Sequence, residues 1–275
     1  MTKKLYRVAV CLSGESRTYT VALDNIKYYF DNIINGRPDV EVVVDYFIHT
    51  WDSNTWKSHE FPGHNPSWEN SNIIKLDIDL IKTHLNLIDY RVDTSMTGVD
   101  LGVWKPLFYS AFYSNHLKRK HEIAENFEYD LVFKHRMDIA LNPNIKFHIF
   151  PLENYMIYNG ALAGRMPREL NYYNFDEVIY YGTSFTMDLL CDISRYLIDK
   201  TPTTPIDPSK NPYEELPVIF LIGPGALLYQ YMTKIGLNPA QGPRIEYSVI
   251  RREVLDNNMH TVDDYDLVNK IYRNF

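Results

Sequence analysis

Residues 4–15 read KLYRVAVCLSGE, an apolar run from Lys4 to Leu12 that stops at Ser13-Gly14-Glu15. A short apolar run closed by a turn signal predicts a buried strand feeding a loop. From Val21 to Ile34 the apolar residues recur at helical spacing, so the loop opens a helix. VEVVVDYFIHTW, at 40–51, is rich in β-branched residues and predicts a second strand, ending in His49-Thr50-Trp51-Asp52. Strand, loop, helix and strand in that order build a parallel sheet.

Working outward, 73–93 predicts a strand or short helix followed by another strand. Val103 to Phe127 is the longest helical stretch, with Trp104, Phe108, Ala111 and Phe112 on one face and Pro106 in the first turn. Lys118-Arg119-Lys120 lies toward its C-terminal part, where the helix dipole favours cations. YDLVFKHRMDIAL, at 129–141, predicts one continuous strand. The second half is less regular. Short strands are expected at 155–158 and 177–181, and Thr183 or Ser184 caps a helix carrying Leu189, Leu190, Ile193 and Leu197. A proline-rich loop at 201–217 precedes a last helix at 227–235, and the tail from Asp256 is weakly patterned. The expected fold class is α/β, Rossmann-type, with a mostly parallel central sheet. Ligands then bind at the carboxyl ends of the strands.

The 275 residues hold 28 Lys and Arg against 35 Asp and Glu, a formal net charge of −7, and 45% are apolar. Such a chain has ample material for a core, which excludes wholesale disorder. Its acidic balance argues against a general nucleic-acid binder. The longest apolar stretch, 216–229, is broken by Gly223-Pro224-Gly225 and is shorter than the ~20 residues of a spanning helix. Arg7 and the polar run from Ser13 leave no signal-peptide core near Met1. Cys11 and Cys191, far apart in apolar surroundings, read as buried thiols of a reducing compartment. A soluble, cytoplasmic protein without a transmembrane segment is expected.

Three stretches carry polar residues at strand ends. Along 130–138, period two places Lys134, Arg136 and Asp138 on one face. Two cations and a carboxylate suit a diphosphate, directly or through Mg²⁺ or Mn²⁺ held by the carboxylate. The same pattern also describes a solvated sheet face with an Arg136–Asp138 pair. In Ser13-Gly14-Glu15-Ser16-Arg17, Gly14 admits close backbone approach and Arg17 offers a bidentate grip on phosphate. His49 and Asp52 add a polar pair at the second strand's end, although a strand-end histidine is often only structural. Asp77-Ile78-Asp79 reads as a helix cap, and Asp264-Tyr265-Asp266 lies in the tail. The dinucleotide fingerprint, P-loop, zinc spacing and nucleophile elbow are all missing from the sequence.

Taken as an ordered set, VAVCLSGESRTY (8–19), YFIHTWD (46–52), WKPLFYSAFYSNHLKRKHE (104–122), YDLVFKHRMDI (129–139) and DEVIYYGTSFTMDLL (176–190) resemble a family. These are small bacterial and viral glycosyltransferase-like proteins of capsule and surface-glycan synthesis. The resemblance implies a single GT-A-like domain over 1–275, with 1–140 as the nucleotide-binding half and 141–275 as the acceptor and sugar side. Arg136-Met137-Asp138 would stand in for Asp-x-Asp, Asp138 holding Mn²⁺ or Mg²⁺ and Arg136 or Lys134 contacting phosphate. Ser13, Gly14 and Arg17 would line the nucleoside pocket beside His49 and Asp52, and Lys105 and Tyr109 would face the sugar or diphosphate. The implied activity moves a sugar from a nucleoside-diphosphate donor to a hydroxyl of a glycan or glycoconjugate, in the cytoplasm or, for a viral protein, the host cytoplasm. Asp176, then Glu215, are the candidate bases. A non-catalytic nucleotide or glycan binder and a sugar-phosphate nucleotidyltransferase are the alternative readings.

Overall fold

The computed structural model describes residues 3–14, 16, 19–33, 39–51, 76–93, 105–161, 175, 177–195 and 224–249. The elements, in order, are β1 (Lys4–Ser13), α1 (Tyr19–Ile33), β2 (Val40–Trp51), α2 (Ile78–His84), β3 (Leu87–Asp93), α3 (Lys105–Glu125), β4 (Leu131–Arg136) and β5 (Ile139–Leu141). They continue with β6 (Met156–Ala161), β7 (Ile179–Gly182), α4 (Ser184–Cys191), α5 (Pro224–Ile235), β8 (Asn238–Ile245) and β9 (Tyr247–Val249). Seven strands form one sheet in the order β3-β2-β1-β4-β7-β6-β8, while β5 and β9 pair separately. Strands β3, β2, β1 and β4 run parallel, as do β6 and β8; β7 is antiparallel to both of its neighbours. The fold is α/β with a mostly parallel central sheet.

Both faces of the sheet are covered, which is why β1 reads as an unbroken apolar run. Val8, Val10 and Leu12 enter one core with Tyr19, Leu23, Ile26 and Phe30 of α1. Ala9 and Cys11 enter the other, with Phe108 and Leu117 of α3, Leu190 of α4 and Leu228 of α5. The expected helix caps are present. Asp77 Oδ1 accepts the Leu80 amide at 3.0 Å, and Thr183 Oγ1 accepts that of Thr186 at 3.3 Å. Trp104, Leu197, the proline-rich loop and the tail, including Asp264 and Asp266, lie outside the described residues.

Two expectations about the elements are corrected. The strand expected over 129–141 is two strands: β4 ends at Arg136, Met137 and Asp138 form a turn, and β5 departs to pair with β9. Lys118 is no solvated cation at a helix end. It is fully buried, bonded to Ser184, Glu122 and Asp188, and so ties α3 to α4. Asn238-Pro239-Ala240-Gln241-Gly242-Pro243-Arg244-Ile245, for which the sequence announced no element, forms β8 despite two prolines and a glycine. It lies at the outer edge of the sheet, where a missing amide donor is tolerated.

Gly225 shows how α5 docks. A Cβ there would stand 2.1 Å from the Phe175 carbonyl oxygen, so the helix approaches that backbone only without a side chain. Pro224 occupies its first position, where the lost amide hydrogen costs no intrahelical bond.

Candidate functional site

Strand register assembles the site. Ser13 on β1 lies opposite Arg136 on β4 and His49 on β2, and His49 lies opposite Arg91 on β3. Residues in register on parallel strands project to the same face. Arg91, His49, Ser13 and Arg136 therefore form one row across the carboxyl ends of four strands, on the face that α3 covers. Three strand spacings of ~4.8 Å separate its ends by roughly 14 Å. A guanidinium stands at each end.

In the middle of the row, Ser13 is fully buried and its hydroxyl has no hydrogen-bond partner. Buried polar groups are almost always bonded, so an orphan hydroxyl at a strand end calls for an explanation. Gly14 follows with φ of +112°, and a Cβ added there would meet nothing within 4 Å. The chain turns out of β1 through a conformation that only glycine adopts without strain, leaving the backbone bare beside Ser13.

At one end, Arg136 grips Asp138 in a bidentate pair, Nε to Oδ1 at 2.8 Å and Nη2 to Oδ2 at 2.6 Å. The carboxylate is the inner partner, 7% exposed against 27% for the guanidinium. At the other end a related arginine–aspartate pair stands, joined by one bond rather than two. Arg91 Nε donates to Asp93 Oδ1 at 2.6 Å, and the exposures are 18% for the carboxylate and 40% for the guanidinium. Arg91 also covers the ring of Tyr113, 3.8 Å from its centroid.

His49 links the second pair to α3. Its Nε2 lies 3.2 Å from Asp93 Oδ2 and its Nδ1 lies 3.1 Å from Ser110 Oγ. A carboxylate only accepts, so Nε2 carries the hydrogen and Nδ1 accepts from the Ser110 hydroxyl. Ser110 in turn accepts from Trp51 Nε1 at 2.9 Å, which makes one donor chain from Trp51 through Ser110 and His49 to Asp93. Burial pushes the His49 pKa down to about 4 against the opposing pull of Asp93, so the ring is neutral near pH 7. Tyr109 donates to Asp93 Oδ2 at 3.2 Å, and its ring lies 5.3 Å from that of Trp51. Burial, above all, raises the Tyr109 pKa. The Asp93 pKa is lowered: burial raises it, but hydrogen bonds from Arg91 and His49 outweigh that.

Several of the residues singled out from sequence thus converge: Ser13, Gly14, His49, Tyr109, Arg136 and Asp138. Lys134 does not join them. It shares the face of Arg136 but sits one row deeper, buried, with its ammonium donating to the carbonyls of Glu177 and Val178. The two residues that lead into antiparallel β7 supply those carbonyls, and the β4–β7 pairing that brings them there is announced by no local pattern. Arg17, Asp52, Asp176 and Glu215 lie outside the described residues, as does the side chain of Lys105 at the start of α3. Sequence reasoning missed Arg91, Asp93 and Ser110. One signal was present: Arg91-Val92-Asp93 repeats the spacing of Arg136-Met137-Asp138 at the end of another strand.

The residues present do not fit a divalent cation at Asp138. Both of its oxygens are taken by Arg136, and the guanidinium is the more exposed partner. Among the described residues no three His, Cys, Asp or Glu side chains gather as a ligand set. Among them, too, no helix is long and apolar enough to cross a membrane.

No family model matches the chain, and no curated protein matches it. Among solved structures, the chain is similar to a nucleoside-diphosphate-sugar pyrophosphorylase from Vibrio cholerae RC9, at 11% sequence identity and a TM-score of 0.37, over 90% of this chain and 98% of that one. A likeness at this level carries no weight for fold or chemistry, and the fold rests on the strand order described above.

Proposed function

We propose that the protein transfers a sugar from a nucleoside-diphosphate donor to a hydroxyl of a glycan or glycoconjugate. The observation that carries this reading is the row across β3, β2, β1 and β4, with its unpartnered Ser13 hydroxyl beside Gly14 and a guanidinium at each end. A ligand with one hydroxyl-bearing part and one anionic part suits that row. The ribose faces Ser13 and Gly14, the diphosphate faces Arg136, and the nucleobase side extends toward Arg91 and the Trp51–Tyr109 rings.

Charge accumulates on the departing diphosphate in the transition state. A guanidinium already fixed by a carboxylate needs no reorganisation to meet it, which is the condition for strong electrostatic stabilisation. An inverting transfer also needs a base within hydrogen-bond reach of the acceptor hydroxyl. Asp176 and then Glu215 are proposed for it on sequence position.

The test is a panel of UDP, GDP, CDP and their sugars, read first by thermal shift and then by release of nucleoside diphosphate. A ligand at a hundredfold excess over its Kd stabilises the fold by ~2.7 kcal/mol, several degrees in melting temperature. A shift with one nucleotide, together with slow hydrolysis of its sugar, supports transfer. Binding without turnover of any sugar, with or without acceptors, would leave a nucleotide-binding protein. The absence of any shift removes the proposal.

A further inference from the structure

We infer that Asp138 is a positioning residue, which fixes the Arg136 guanidinium for a diphosphate, so that binding at this strand edge runs on side-chain cations without a divalent ion. The inference rests on the nucleotide-sugar reading above. A carboxylate that serves a metal must turn an oxygen toward the ligand. Here both oxygens of Asp138 are engaged by Nε and Nη2 of Arg136, and the carboxylate lies behind the guanidinium.

The other end of the row supports the same assignment independently. Asp93 again is the inner partner and Arg91 the outer one, and Asp93 is itself held by His49 and Tyr109. Each carboxylate therefore orients an arginine that reaches further out than it does. A guanidinium carries five donors in a plane, of which a bidentate carboxylate takes two. The pair thus sets the plane of the whole guanidinium. Such an arginine meets phosphate in a defined orientation, whereas an untethered one must first be ordered.

Titration calorimetry with UDP, GDP and CDP, first in EDTA and then in Mn²⁺, tests the inference on the intact chain. For whichever nucleotide binds, the affinity should agree within about twofold between the two buffers. Asp138→Asn should weaken it by about tenfold in both, the loss expected when a charge-assisted contact is no longer aligned. Asp138→Glu, which keeps the charge, should recover part of that loss, and Arg136→Lys should not bind as wild type because its fork is gone. Circular dichroism and melting of each variant show that the fold is retained. Binding that needs Mn²⁺, with the dependence lost in Asp138→Asn, overturns the inference while the nucleotide-sugar reading stands. Wild-type affinity in Asp138→Asn overturns the positioning role. Titration of Mn²⁺ alone into the free protein should give no heat that Asp138→Asn removes; such a heat would count as a metal site. No binding of any nucleotide in either buffer overturns both readings together.

Discussion

Arg91 and Arg136 stand at opposite ends of one register row, roughly 14 Å apart across three strand spacings, and each is tied to the aspartate two residues ahead of it. The two ends should be separable by ligand size. Arg136→Gln should weaken binding of both inorganic pyrophosphate and the intact nucleotide by about tenfold. Arg91→Gln should weaken only the nucleotide, because pyrophosphate is too short to span the row. Calorimetry with the two ligands decides it: a pyrophosphate loss confined to Arg91→Gln would reverse the orientation assigned here, and equal losses in both variants would overturn it.

Ser13→Ala should separate stability from binding. The hydroxyl is buried without a partner, so its removal relieves a desolvation cost of about 1–3 kcal/mol. The variant should be as stable as wild type or up to ~1 kcal/mol more stable in urea, with nucleotide affinity several-fold lower. A destabilised variant would show that the hydroxyl already has a structural partner.

Acid should unfold the protein through two histidines. Burial lowers His49 to about 4 and His135, packed edge-on against Phe30, to about 3, from an ordinary 6.5. Below pH 6.5 the unfolded chain takes up protons that the folded chain refuses. Stability then falls as pH falls, by up to ~1.4 kcal/mol per unit for each histidine, until each folded pKa is reached. Above 6.5 neither contributes. Melting temperature should be flat from pH 7 to 8 on their account and drop from pH 6 to 5, and His49→Gln should lessen that slope.

Lys118→Met should cost about 3–5 kcal/mol, because it leaves Glu122 and Asp188 facing each other without their shared cation. Burial by itself would lower the Lys118 pKa, but the two carboxylates outweigh it and raise it. Adding Glu122→Gln to Lys118→Met should recover part of the loss in chemical denaturation. If the two effects simply add, the network carries no coupling.

How much of this was legible follows from how local each feature is. The parallel half was readable because its strands are apolar on both faces and its helices recur at 3.6 residues, so KLYRVAVCL and VEVVVDYFIHTW announce themselves. Asp77 and Thr183 were readable as caps for the same reason, since a cap acts on an amide three residues away. The edge strand β8 was not, because its pairing with β6 overrides a composition that disfavours strands. Arg91, Asp93 and Ser110 were missed because their meaning depends on strand register and on where α3 crosses β2.

By themselves the residues determined the alternation of strand and helix, the caps, and that polar groups gather where the strands end. Hydrogen-bond spacing and side-chain period act over a few positions, so these features are written in the chain. Tertiary structure alone decided which of those groups face one another. It placed β1 between β2 and β4, put Lys134 beneath the carbonyls of Glu177 and Val178, and lined up Arg91, His49, Ser13 and Arg136. Register between strands distant in sequence is set by burial of both sheet faces at once, and no local stretch carries that information.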